Sequence, residues 1–263
     1  GCTDTTAIYT TTVFADADTS VTVSGPLDFC DGGSVTLTAA TGQSYSWSTG
    51  ATTQSITVSQ AGVYSAIVTT TNGCVDTTAT YTTTLFADAD TTVTVSGPLD
   101  FCSYDDVTLT AAAGQSYSWS TVDTSQSITV SQAGSYYAVV TTINGCVGTT
   151  AVQVTSLLAD ADIAVTTSGS LDFCSHDSVS LSAASGQSYL WNTGDTTESI
   201  ISTMAGTYSV IVTTADGCTD TTADYSTTIY ADADTSVVAS QTLFCASDSA
   251  MLTAAAGQSY LWN

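Results

Sequence analysis

The chain has 263 residues, no Lys or Arg and 24 acidic groups, for a formal charge of −24. That balance excludes the basic face a nucleic-acid binder needs to displace phosphate counterions, and it excludes charge-driven docking on anionic lipid. Disorder is excluded as well, because 43% of residues are hydrophobic and Val, Ile, Tyr and Trp recur at fixed phase.

The phase is 72 residues. Ala15-Asp16-Ala17-Asp18 returns at 87–90, 159–162 and 231–234. Leu-Asp-Phe-Cys ends at Cys30, Cys102 and Cys174, with the shorter Leu243-Phe244-Cys245 in the last copy. Gly-Gln-Ser-Tyr-x-Trp sets Trp47, Trp119, Trp191 and Trp262 in register. A fixed period of this kind means one supersecondary unit copied in series. The expected organisation is the end of a preceding repeat over 1–14, full repeats over 15–86, 87–158 and 159–230, and the start of a fourth over 231–263. The chain therefore reads as a section of something longer, with secretion signals and any anchor outside it.

Within the first full repeat, Val21-Thr22-Val23 alternates and stops at Ser24-Gly25-Pro26, a strand and a turn. Ser34–Ala39 alternates with Val35, Leu37 and Ala39 on one face. Tyr45-Ser46-Trp47, Gln54–Val58 and Tyr64–Val68 follow as short strands, and Asn72-Gly73 is a hairpin signal leading into the Thr-rich stretch Val75–Phe86. Six or seven short strands at this spacing predict a β-sandwich. Trp47, Trp119, Trp191, Tyr64, Tyr136 and Tyr208 sit at core phase; stacking on carbohydrate is the alternative use of such rings.

Trp47 on the third strand and Gly62-Val63-Tyr64 before the fifth resemble the buried Trp and tyrosine corner of immunoglobulin-type domains, with copies at Gly134-Ser135-Tyr136 and Gly206-Thr207-Tyr208. The inter-sheet cysteines of that family are absent; the matching positions near Ala39 and Ala66 are small. The fuller pattern runs Cys, Val-Thr-Leu-Thr-Ala, Tyr-x-Trp, Gly-x-Tyr, Asn-Gly-Cys. It resembles the tandem immunoglobulin-like or PKD-like repeats of giant Bacteroidota surface proteins, including gliding-motility adhesins and other type 9 secretion cargo. The resemblance implies an all-β chain of tandem immunoglobulin-like β-sandwich modules in an elongated array. The implied role is the stalk of an extracellular, cell-surface adhesin or filament. Its partners would be neighbouring modules, surface polysaccharide or other surface proteins.

A repeat of this size is near the lower limit for a self-sufficient core, so cross-links are expected to help. Two cysteines per repeat fit an oxidising compartment. In immunoglobulin topology Cys30 and Cys74 fall at opposite ends of the sandwich, roughly 20 Å apart for a six-residue strand. Pairing between modules, Cys30 with Cys146 and Cys102 with Cys218, avoids that span. Pairing within repeats, as Cys30–Cys74, Cys102–Cys146 and Cys174–Cys218, stays open if the topology differs.

The alternating carboxylates Asp16/Asp18, Asp88/Asp90, Asp160/Asp162 and Asp232/Asp234 stand at the module boundaries. With Asp28 or Asp31 they could assemble an all-oxygen Ca²⁺ site, as cadherin-like linkers do; the plainer reading is a solvated acidic connector. Asp-Thr and Asp-Ser pairs at Thr5, Thr77, Thr91, Ser178 and Ser249 resemble the Bacteroidota O-glycan acceptor motif. His176 is the sole histidine and has no partner in phase, so neither a triad nor a metal centre is expected, and the chain reads as no enzyme. Two rival readings are a self-assembling extracellular filament, built by pairing of the Thr-rich strand with a neighbour's sheet edge, and the accessory array of a secreted polysaccharide hydrolase.

Overall fold

The computed structural model describes residues 1–257 and 259–262; Gln258 and Asn263, inside the span of the fourth repeat, lie outside them. Two compact units are present: residues 1–99 with 106–155, and residues 100–105 with 156–263. All regular elements among the described residues are β-strands.

In the first unit, the first repeat supplies nine short elements: β1 (Val21–Val23), β2 (Asp28–Cys30), β3 (Val35–Ala39), β4 (Ser44–Trp47), β5 (Ser55–Val58), β6 (Gly62–Tyr64), β7 (Ala66–Thr69), β8 (Val75–Thr77) and β9 (Tyr81–Phe86). β1, β3 and β5 form one antiparallel sheet. The facing sheet is built from two broken strands: β6 and β7 are separated by Ser65, and β8 and β9 by residues 78–80. β4 pairs with β7, β7 with β8, and β6 with β9. β2 closes the edge by running parallel to β9, Asp28 opposite Thr84 and Cys30 opposite Phe86. This is the immunoglobulin-type layout, with a first strand that starts in one sheet and switches to the other.

The reason these segments become strands is visible in β3. Val35, Leu37 and Ala39 are buried, and Thr36 and Thr38 face outward, the period-2 pattern of a half-buried sheet. The outward hydroxyls pair across the sheet, Thr36 with Thr57 at 3.1 Å and Thr38 with Ser55 at 2.8 Å. Inside, Trp47 is buried with its indole N–H donating to the Thr53 carbonyl at 2.8 Å, so the ring brings no unpaired donor into the core. Ala39 and Ala66, which stand where immunoglobulin cysteines would be, are both buried, and Ala66 lies directly opposite Trp47. Ala17 joins the same core.

The second repeat's strands in this unit follow the same scheme. Val93–Val95, Val107–Ala111 and Ser127–Val130 form one sheet; Ser116–Trp119, Ala138–Thr141 and Val147–Thr149 form another. In the second unit, Asp100–Phe101 runs parallel to the end of Gln153–Leu157, at Ser156 and Leu157. The third repeat holds the same strand pairings between Val165 and Tyr230, around a core of its own containing Leu181, Ala183, Trp191, Tyr208 and Val212. Among the described residues of the fourth, only Val237–Ala239 and Leu252–Ala254 pair.

One aromatic departs from the expected core. Tyr136 is half-buried, whereas Tyr64 and Tyr208 are buried. Its cross-strand partner explains the difference: Tyr64 faces Tyr81 and Tyr208 faces Tyr225, but Tyr136 faces Gln153, which leaves its ring less covered. Trp47, Trp119 and Trp191 are each at most 2% exposed, which removes the carbohydrate-stacking alternative for those rings.

Candidate functional site: the seams between repeats

Each repeat carries two prepared cysteines at opposite ends of its last strand. The first ends the parallel edge strand β2 and starts a tight turn, in which Gly33 N–H donates to the Cys30 carbonyl at 2.9 Å. The same turn recurs with Asp105 on Cys102, Asp177 on Cys174 and Asp248 on Cys245. The second follows the hairpin between β7 and β8. Gly73 (φ 80°) donates to the Thr70 carbonyl at 3.0 Å, Thr70 N–H donates to the Cys74 carbonyl at 2.9 Å, and Cys74 N–H donates to Thr70 Oγ1 at 3.0 Å. Thr142 holds Cys146, and Thr214 holds Cys218, through the same pair of bonds. The positive φ at the turn is why Gly occupies 73, 145 and 217.

The structure joins Cys30 to Cys146 and Cys102 to Cys218, both with Cα atoms 5.6 Å apart and 116 residues of separation. One period plus the 44 residues from Cys30 to Cys74 gives that number, so each bond ties one repeat to the next. The within-repeat pairings Cys30–Cys74, Cys102–Cys146 and Cys174–Cys218 are not formed. Cys30 is level with Phe86 at the end of β9, and Cys74 stands before the start of β8. The strand between them spans on the order of 30 Å, against the ~7 Å limit for a disulfide. Cys2, Cys74, Cys174 and Cys245 are free thiols.

The acidic motif at the boundary makes two kinds of hydrogen bond. Because Ala17 turns into the core, the carboxylates on either side of it are directed elsewhere. Asp18 accepts the Ser20 N–H at 2.9 Å, and Asp90, Asp162 and Asp234 do the same for Thr92, Ala164 and Ser236. Those backbone donors hold the Asp18, Asp90 and Asp234 carboxyls below the usual carboxylate value. In the third and fourth copies the other Asp of the motif reaches a loop of the preceding repeat. Asp160 accepts from Ser103 N–H at 3.2 Å and from Ser103 Oγ at 2.6 Å; Asp232 accepts from Ser175 Oγ at 2.5 Å. Ser175, and after it His176, hold the Asp232 carboxyl low. In the third and fourth copies the two carboxylates of the motif, Asp160/Asp162 and Asp232/Asp234, thus serve separate donors. Among the described residues no three His, Cys, Asp or Glu side chains converge.

His176 is exposed, and its Nδ1 contacts the same Asp232 oxygen that the Ser175 hydroxyl uses. A nucleophilic triad needs the hydroxyl on one imidazole nitrogen and the carboxylate on the other. Here both partners share one carboxylate oxygen, and no apolar wall surrounds them. Thr5, Thr77, Thr91, Ser178 and Ser249, the Asp-Thr and Asp-Ser positions, are all exposed.

Sequence reasoning missed two features. Ser103 and Ser175 gave no signal, since Asp31 and Ala246 stand at the same register. At the corner after β5, the second donor was also missed. There the Gln60 carbonyl accepts both the Tyr64 hydroxyl at 3.0 Å and the buried Thr83 hydroxyl at 2.7 Å. The same pair of donors meets Gln132 and Met204. The fixed phase of Thr83, Thr155 and Thr227 was the available clue.

No family model matches the chain, and no curated protein matches it. Similar solved structures include a marsupial T cell receptor, at 12% identity and a TM-score of 0.32 over 78% of this chain and 99% of that one. The fibronectin(III)-like modules of Clostridium thermocellum CbhA are similar at 10% identity and 0.30, over 52% of this chain and 95% of that one. Murine CEACAM1b is similar at 12% identity and 0.27, over 51% and 96%. Scores this low carry no argument, and the β-sandwich assignment rests on the strand order and register given above.

Proposed function

We propose that the chain is a load-bearing spacer, the stalk of a long extracellular surface adhesin or filament, with gliding-type motility and type 9 export as the specific version. The observation that carries this reading is the pair of disulfides tying successive repeats. A bond inside one module would stabilise that module alone; a bond from the edge strand of one to the hairpin of the next resists both bending and separation. Disulfides form and persist in oxidising compartments, which supports an extracellular location. A charge of −24 without one Lys or Arg keeps copies from collapsing on each other. Serine-to-Asp160 and serine-to-Asp232 bonds add a polar latch at the seam.

The test is a cell carrying Cys30→Ser and Cys102→Ser in its own copy of the protein. The reading expects the protein to reach the surface in normal amount while attachment under shear flow falls. Undiminished attachment at the highest shear the unaltered cell withstands would refute it.

A further inference from the structure

The two bonds define a rule, and two of the free thiols, Cys74 and Cys174, share the local geometry of the bonded ones. Cys174 belongs to the edge-strand type, like Cys30 and Cys102, and its carbonyl accepts the same turn bond, from Asp177 at 2.9 Å. Cys74 belongs to the hairpin type, like Cys146 and Cys218, and the Thr70 backbone and hydroxyl hold it as Thr142 and Thr214 hold those two. Burial tracks pairing. Cys146 and Cys218 are buried, while Cys74 is half-buried; Cys30 and Cys102 are half-buried, while Cys174 is exposed. The same socket is thus covered wherever a neighbouring repeat is bonded to it and uncovered where none is.

We propose that Cys74 and Cys174 are the two complementary halves of the same staple, each built to take the opposite-type cysteine of another copy of this repeat. Cys74 takes an edge-strand cysteine of the Leu-Asp-Phe-Cys kind, and Cys174 takes a hairpin cysteine of the Gly-Cys kind. The inference deepens the spacer reading and rests on it. The chemistry is thiol oxidation by an organic disulfide such as glutathione disulfide. One thiolate attacks it and releases a glutathione thiolate. The second thiolate attacks the mixed disulfide and releases the other, so two protein thiols are oxidised while one small disulfide is reduced to two thiols.

The experiment uses the full chain carrying Cys2→Ser and Cys245→Ser, incubated in a glutathione redox mixture. Linked peptides are mapped after Asp-N digestion, since trypsin has no site. The expected product is a ladder of covalent multimers in which Cys74–Cys174 links exceed either like-with-like link by about tenfold or more; random pairing gives only roughly twofold. Adding Cys74→Ser to one sample and Cys174→Ser to another, then mixing them, is expected to stop the ladder at dimers. In a parallel arm, the protein is alkylated in its producing cells before extraction. A Cys174 peptide linked to a hairpin cysteine is expected there. Its migration with or without reduction tells a repeat of the same polypeptide from one of a second molecule. Statistical pairing, a Cys74–Cys174 bond within one molecule, or thiols left as glutathione adducts would each overturn the inference. Intact Cys30–Cys146 and Cys102–Cys218 bonds in the same digest show that the chain is folded; their absence would instead bring down the spacer reading itself.

Discussion

Pulling the chain by its ends makes the staples measurable as length. A fully extended chain spans at most ~3.5 Å per residue. With both bonds intact, the shortest covalent path runs 29 steps from Gly1 to Cys30 and crosses to Cys146. It then goes back 44 steps to Cys102, crosses to Cys218 and runs 45 steps to Asn263. That is 118 steps, or about 410 Å plus the two bridges. Without the bonds the path is all 262 steps, about 920 Å. The overlap of the two loops gives a sharper signature. Cys30→Ser leaves 101 steps to Cys102 and 45 after Cys218; Cys102→Ser leaves 29 to Cys30 and 117 after Cys146; each totals 146. Either single change therefore adds about 100 Å, and removing the second bond adds about 400 Å more. Optical-tweezer unfolding with handles at the two termini reads these contour lengths directly. An oxidised chain that extends well past ~420 Å, or single variants that differ from one another, would refute the connectivity. The path also reverses direction in the second repeat, so residues 102–146 carry the load while 31–101 and 147–217 are shielded from it.

Other expectations are local. Val122 holds a positive φ of 66° where the first and third repeats have Gly50 and Gly194; Val122→Gly should stabilise the second repeat by about 1 kcal/mol in chemical denaturation, and an unchanged or lower midpoint would contradict the strain. At the Gln60 corner, Tyr64→Phe and Thr83→Val should each cost about 1 kcal/mol. The double variant should cost more than their sum, because the carbonyl then has no side-chain donor; strict additivity would argue against a shared acceptor. The carboxyls of Asp18, Asp90, Asp123, Asp232 and Asp234 lie below their unfolded value of 3.8. Their contribution is complete above that value and is lost as pH falls through the lower folded values. Melting temperature should therefore hold from pH 7 down to about 4 and drop below it, and Asp18→Asn, which keeps an acceptor for Ser20, should flatten its share of the drop. Asp31 precedes Asp88 by the same 57 residues that separate Ser103 from Asp160 and Ser175 from Asp232. Asp31→Ser should supply the missing hydroxyl and raise the melting temperature by a small margin that shrinks in high salt; a lower value would disprove the register argument.

How much of this was legible depended on whether a residue's role is local. Val35, Leu37 and Ala39 announce a half-buried strand because alternation is a property of the strand itself, and the 72-residue period multiplied that signal. The corner at Tyr64 was readable from Gly62-Val63-Tyr64 because its acceptor, Gln60, lies four residues away. The boundary motif was not readable, because its two carboxylates answer to different repeats. Asp162 serves its own chain two residues on, and Asp160 serves a serine 57 residues back. Spacing alone makes such a pair look like a cation ligand set; only the burial of the alanine between them, seen for Ala17 and Ala161, shows that the two point to separate tasks. The cysteines lay between these cases. Sequence gave two connectivities, and the choice turned on one non-local fact, that β2 runs parallel to β9 and so carries Cys30 to the end of the sandwich opposite Cys74. A parallel edge strand is what converts two cysteines of one repeat into half-bonds to two different neighbours.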